Sequence, residues 1–170
     1  AGLFNCAFRS TKEISTKGGY LFSWMMDALM LGIGVGFDAL GAGTVTITEP
    51  KYTNDVHIID DSREGWVNSV HILLNGFLLG GKVPHFDYSA IRPEGAPIKG
   101  FGGTSSGAGP LKELHDSLRE LYSPIVGELI DSVTIVDTEN LIGRCVVAGN
   151  VRRSAALAMG RHDDLHYLEM

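Results

Sequence analysis

The chain has 170 residues, of which 44% are hydrophobic and 20% charged, and it carries a net charge of −6. That length can bury a single globular core, and the acidic balance argues against a non-specific nucleic-acid binder, which is normally basic. The apolar runs at 21–31 and 72–79 are interrupted and fall short of the roughly 20 residues of a membrane span, and the N-terminus lacks the organisation of a signal peptide. Two distant cysteines, Cys6 and Cys145, fit a reducing cytoplasm better than a disulfide scaffold. Neither these cysteines nor the six scattered histidines have zinc-site spacing.

In chain order, residues 2–8 read as a short buried strand with Cys6 near its end. Residues 21–31 have helical spacing and stop at Gly32, a natural C-cap. Residues 33–40 alternate glycine with apolar residues, as a closely packed strand would. Residues 44–48 alternate β-branched residues, 50–54 read as a turn, and 56–59 are expected to pair back as a hairpin. Asp60, Asp61 and Ser62 offer an N-cap for a helix over 64–79, followed by a strand at 85–89. A glycine-rich loop spans 93–109, helices are expected at 111–121 and 137–147, a strand within 150–159, and a last helix at 163–170. Strands alternating with helices indicate an α/β architecture in one domain.

Three features carry chemistry. Residues 93–110 read PEGAPIKGFGGTSSGAGP, flanked and punctuated by Arg92 and Lys99. Its glycines let backbone N–H groups turn toward an anion, and arginine and lysine supply a fork and a point charge for phosphate. It is not a P-loop, because Gly-Lys-Ser/Thr is absent, so phosphate binding and a plain surface loop both stay open on the residues alone. The second feature is GNVRRS at 149–154, where two arginines follow a glycine turn; it reads as a nucleotide contact or as a solvated pair. Cys6 is the third, a reactive thiol or a small hydrophobe. The loop carboxylates, Asp60, Asp61 and Asp87, read as caps or solvated groups.

Taken together, an ordered set of segments resembles ribonucleotide reductase, specifically the adenosylcobalamin-dependent class II enzymes. These are Asn5-Cys6, GVGF at 34–37, DSREGWV at 61–67, DYSAIRP at 87–93, IKGFGGTSSG at 98–107, NLIG at 140–143 and VAGNVRRSA at 147–155. They occur in the family's order across nearly the whole chain.

The resemblance implies a partial ten-stranded α/β barrel, its first half, with residues 38–89 as a small hairpin-and-helix insertion like the one that stands in for a dimer contact in monomeric, triphosphate-reducing members. It implies that Cys6 is one of two substrate-reducing thiols and that Asn5 and Gly34 line the ribose pocket. Arg92 and Lys99 would hold effector phosphates, with Glu13 near the effector ribose. The first specificity loop would comprise Gly100, Phe101, Gly102, Gly103, Thr104, Ser105, Ser106 and Gly107. The second would comprise Gly149, Asn150, Val151, Arg152, Arg153 and Ser154, relaying effector identity to the substrate base.

The partners implied are a ribonucleotide substrate, a dNTP effector, a thioredoxin-like reductant and the remaining half of the reductase, with no nucleic acid and no membrane. Adenosylcobalamin is the implied cofactor, with its contacts mostly outside these residues. Only Cys6 falls in a family motif, so the radical-bearing cysteine and the other redox thiols are expected elsewhere, and the chain is expected to be a truncated or split piece of a longer enzyme. The alternative is a non-catalytic dNTP-binding regulatory module.

Overall fold

A computed structural model describes residues 5–98, 103–149 and 155–170. Three strands, β1 (Cys6–Arg9), β2 (Gly34–Asp38) and β5 (Ala156–Met159), form a parallel sheet in the order β1-β2-β5. The register sets Cys6 beside Gly34 and Val35 beside Ala156, so all three strands start at one end of the sheet. Parallel neighbours require long crossovers. Helices α1 (Ile14–Lys17) and α2 (Tyr20–Met30) make the first. Between β2 and β5 lie β3 (Lys51–Ile58), α3 (Arg63–Leu79), β4 (Lys82–Asp87), α4 (Gly109–Tyr122) and α5 (Ser132–Ala148), and a short α6 (Leu165–Leu168) follows β5.

Helix α2 buries Leu21, Phe22, Met25, Met26, Ala28 and Leu29, the recurrence expected of a core-facing helix. It ends as a Schellman motif. Gly32 takes φ +79°, its N–H donates to the Leu29 carbonyl at 2.8 Å, and the Ile33 N–H donates to the Ala28 carbonyl at 3.1 Å. At the far ends of β1 and β2, Thr11 and Asp38 tie the strands together. The Asp38 carboxylate accepts the Thr11 N–H at 2.8 Å, and the Thr11 hydroxyl accepts the Gly41 N–H at 2.9 Å.

The intervening region differs from the expected hairpin. Residues 44–48 form no named strand but run antiparallel to 127–130: Thr46 bridges Leu129, the Ile47 N–H donates to the Glu128 carbonyl at 2.8 Å and the Ile130 N–H to the Val45 carbonyl at 2.9 Å. The segment expected to turn at 50–54 is instead inside β3, which pairs parallel with β4 across α3, a βαβ unit rather than a hairpin. Pro50 and Asn54 favour a turn, but β3 is a solvent-facing strand whose side chains are mostly exposed, and polar residues are tolerated there. Strand β4 starts at Lys82, earlier than expected, with Pro84 inside a two-stranded sheet that has no central position.

Helix α3 is capped by Ser62, whose hydroxyl accepts the Gly65 N–H at 3.0 Å, and stops at Gly80 in the left-handed conformation. Helix α5 starts at Ser132, five residues before its expected beginning, where the Asp131 carboxylate accepts the Thr134 N–H. The β-branched run Val133–Val136 hid that first turn, because these residues favour strands. One core joins α2, α3, α4, α5 and the inner face of β2, with Phe22, Phe37, Phe77 and Tyr122 fully buried.

Candidate functional site

The glycine-rich segment is more ordered than an open loop. Its two arms pair antiparallel at Pro97 and Thr104, and the Ile98 N–H donates to the Gly103 carbonyl at 3.0 Å. The Ser105 N–H donates to the Ala96 carbonyl, and the Gly95 N–H to the Ser105 carbonyl, each at 2.8 Å. Gly103 and Gly107 have φ +93° and +69°, values an L side chain resists. The Gly107 N–H donates to the Ser105 hydroxyl at 3.0 Å. Lys99, Gly100, Phe101 and Gly102 lie outside the described residues.

Arg92 sits at the base of this hairpin. Its Nε donates to Asp61 at 2.6 Å and one terminal nitrogen donates to the Pro97 carbonyl at 3.1 Å. A guanidinium has five N–H donors, so further ones remain for a ligand. Arg63, the first residue of α3, pairs with Asp27 of α2 and with Glu64. These groups surround a cavity of about 150 Å³, walled by Met26, Met30 and Trp66 and reached by Ser62, Ser105, Ser106 and Gly149. Its volume is below the roughly 300 Å³ at the lower end of small-molecule sites, enough for a sugar or base but not for a whole nucleoside triphosphate. Two arginines, three hydroxyls and one apolar wall suit the charged part of a nucleotide next to a ring.

Of the expected site residues, Arg92, Ser105, Ser106 and Gly149 meet at this cavity. Asn150, Val151, Arg152, Arg153 and Ser154 lie outside the described residues. Glu13 precedes α1 at the surface without a side-chain capping hydrogen bond, is not among the cavity's lining residues, and pairs with Lys17, which holds its carboxyl below the usual range. Sequence reasoning missed Arg63 and Trp66 as cavity walls and treated Asp61 as a solvated carboxylate. Their shared place in DSREGWV, at the start of a helix, was the available signal.

Asn5, Cys6 and Gly34 come together at the starting end of the sheet. The Gly34 N–H donates to the Asn5 carbonyl at 2.9 Å, and a Cβ added at Gly34 would lie 3.8 Å from the Cys6 sulfur. Glycine therefore leaves room directly beside the thiol. Cys6 opens β1 and is exposed rather than buried, a correction to the expected buried strand, because β1 is an outer strand of the sheet among the described residues. Cys145 is buried in α5, and burial pushes its thiol up to about 12, which keeps it protonated and inert.

Two buried polar groups escaped sequence reasoning. His115 of α4 lies between Ser69 (3.1 Å, at Nε2) and Tyr88 (2.7 Å, at Nδ1). The Ser69 O–H donates to the Trp66 carbonyl at 2.8 Å, so its oxygen accepts from Nε2–H, and Nδ1 in turn accepts the Tyr88 O–H. Burial holds this imidazole neutral, with its pKa lowered to about 3. Glu139 of α5 is fully buried with neither carboxyl oxygen partnered among the described residues, and desolvation raises it to about 8.

The family profile described as "B12-dependent ribonucleotide reductase, insertion domain" matches residues 37–121, half of the chain. The chain is 45% identical, over its full length, to the "Probable adenosylcobalamin-dependent ribonucleoside-triphosphate reductase" of Dictyostelium discoideum, covering 25% of that protein. It is 46% identical, again over its full length, to the adenosylcobalamin-dependent ribonucleoside-triphosphate reductase of Euglena gracilis, covering 24% of it. A crystal structure of a B12-dependent class II ribonucleotide reductase superposes with a TM-score of 0.72 at 28% identity, over 89% of this chain and 26% of that one. The chain thus spans about a quarter of the length of the curated relatives it matches. With the motif order, the fold and these matches in agreement, the chain belongs to the B12-dependent, class II ribonucleotide reductase family.

Proposed function

We propose that this chain forms part of an adenosylcobalamin-dependent ribonucleoside-triphosphate reductase, contributing a dNTP effector site and one redox thiol. The observation that carries the reading is the convergence of Arg92, Ser105, Ser106 and Gly149 on one cavity, because two segments far apart in sequence meet where one nucleotide would touch both. Arg92 and Lys99 hold the effector phosphates, while the loops at 100–107 and 149–154 pass its identity to the substrate base. The cavity lends no support to a role for Glu13.

Strands β1, β2 and β5 belong, in this reading, to the ten-stranded barrel, with the β3–α3–β4 unit as part of its insertion. Cys6 and a thiol outside this chain give up two electrons and two hydrogens, the ribose 2′-hydroxyl leaves as water, and the thiols become a disulfide that a thioredoxin-like protein reduces. Asn5 and Gly34 shape the ribose side of that pocket. Cobalamin supplies the radical initiation when bound. We assign its contacts to other parts of the enzyme.

Calorimetry with dNTPs tests the effector assignment. Charged hydrogen bonds to phosphate are worth roughly 1.5–3 kcal/mol each, so Arg92→Ala and Lys99→Ala should each weaken binding about tenfold or more. Unchanged affinity in both variants removes the assignment.

A further inference from the structure

A second cleft lies between α4 and the β3–β4 pair. It measures about 410 Å³, inside the roughly 300–1,000 Å³ range of small-molecule sites and more than twice the volume of the arginine cavity. Its lining includes the rings of Tyr52, His85, Phe86 and Tyr88 and the charges of Lys112, Asp116 and Arg119.

Two of the rings, Phe86 and Tyr88, rest on the buried His115. Phe86 packs on His115 with centroids 4.7 Å apart, and the Tyr88 hydroxyl is turned inward to His115 at 2.7 Å. What Tyr88 offers the cleft is therefore its ring and not its O–H. Lys112 Nζ stands 5.2 Å from that ring's centroid and has no carboxylate partner among the described residues. Arg119 shares one nitrogen with Asp116 at 3.1 Å, leaving other donors of its fork for a ligand. Two cations against one carboxylate make the cleft locally positive on a chain of net charge −6. Tyr52 is 53% exposed, an apolar surface left open at the cleft's edge. A flat apolar ring surface beside an unpaired ammonium and a partly free guanidinium is the chemistry that holds a planar base and its phosphates.

We propose that this cleft is a second nucleotide site, separate from the Arg92 cavity, with a base stacked on Tyr52 and phosphates on Lys112 and Arg119. Nothing in the effector reading requires it, and the two sites share no lining residue.

The test is calorimetry with ATP on the Arg92→Ala chain, in which the first site is weakened, with inorganic tripolyphosphate as a ligand that lacks a base. A binding event should persist in Arg92→Ala and weaken at least tenfold when Lys112→Ala and Arg119→Ala are added. It should weaken severalfold with Tyr52→Ala, and tripolyphosphate should bind more weakly than ATP. These side chains are on the surface, so circular dichroism and melting temperature should be unchanged; Lys112→Glu, expected to abolish binding, provides a second charge variant. The proposal is overturned if no ATP binding remains in Arg92→Ala, or if the remaining event is indifferent to the Lys112 and Arg119 changes. Equal binding of tripolyphosphate and ATP, with no effect of Tyr52→Ala, overturns the assignment of a base to Tyr52.

Discussion

At the scale of single residues, Glu139 and His115 govern how stability responds to pH, in opposite directions. Glu139 titrates at about 8 in the folded chain against an ordinary value of 4.5, so the native state keeps a proton that the unfolded state has lost. Stability from this group is fully present below about 4.5 and declines as pH rises toward 8, by up to about 1.4 kcal/mol per pH unit. His115 is lowered from 6.5 to about 3, so its contribution is present above 6.5 and is lost as pH falls toward 3. Comparing urea unfolding of the parent chain with Glu139→Gln between pH 5 and pH 8 isolates the carboxyl, because His115 is common to both. The parent should lose stability relative to the variant as pH rises; parallel curves would refute the buried, unpartnered carboxyl. Neither group was legible in the sequence, since burial without a partner is a property of packing and leaves no spacing signature.

At the scale of elements, helices were read more accurately than strands, for physical reasons. Helix α3 carried its own boundaries in Ser62 and Gly80, and α2 carried its stop in Gly32, because caps are local chemistry. Strand pairing is not local: the partner of β3 lies across the whole of α3, and nothing in 51–58 names it. The packing of that unit rests on Gly76. A Cβ there would meet a methyl of Val83 at 2.5 Å and Pro50 at 3.0 Å, so the helix approaches the β3–β4 unit as closely as a missing side chain permits. Gly143, inside α5, has nothing within 4 Å of an added Cβ. Alanine should therefore act with opposite sign at the two positions. Gly76→Ala should destabilise by about 1–2 kcal/mol, overpacking outweighing helix propensity, and Gly143→Ala should stabilise by up to about 1 kcal/mol. Urea midpoints of the two variants check this, and shifts of the same sign would contradict the packing described.

At the scale of the whole molecule, the family was legible where the fold was only partly so. The cationic hairpin was readable because glycines, hydroxyls and Arg92 lie in one segment. Its meeting with Arg63, Trp66 and Gly149 was not, because that depends on how α2, α3 and α5 pack. The exposed setting of Cys6 follows likewise from sheet register, which puts the thiol beside Gly34 at an open end. Cys6 is thus exposed beside a glycine, whereas Cys145 is buried in α5. The reductase reading makes Cys6 indispensable to repeated turnover, while a non-catalytic dNTP-binding module places no demand on it. The most direct measurement combines this chain with the complementary part of the enzyme, adenosylcobalamin and a ribonucleoside triphosphate, and counts deoxynucleotide formed over many turnovers with thioredoxin as reductant. The parent chain should support product formation and Cys6→Ser should abolish it while leaving dNTP affinity unchanged; equal turnover by Cys6→Ser would contradict the assignment.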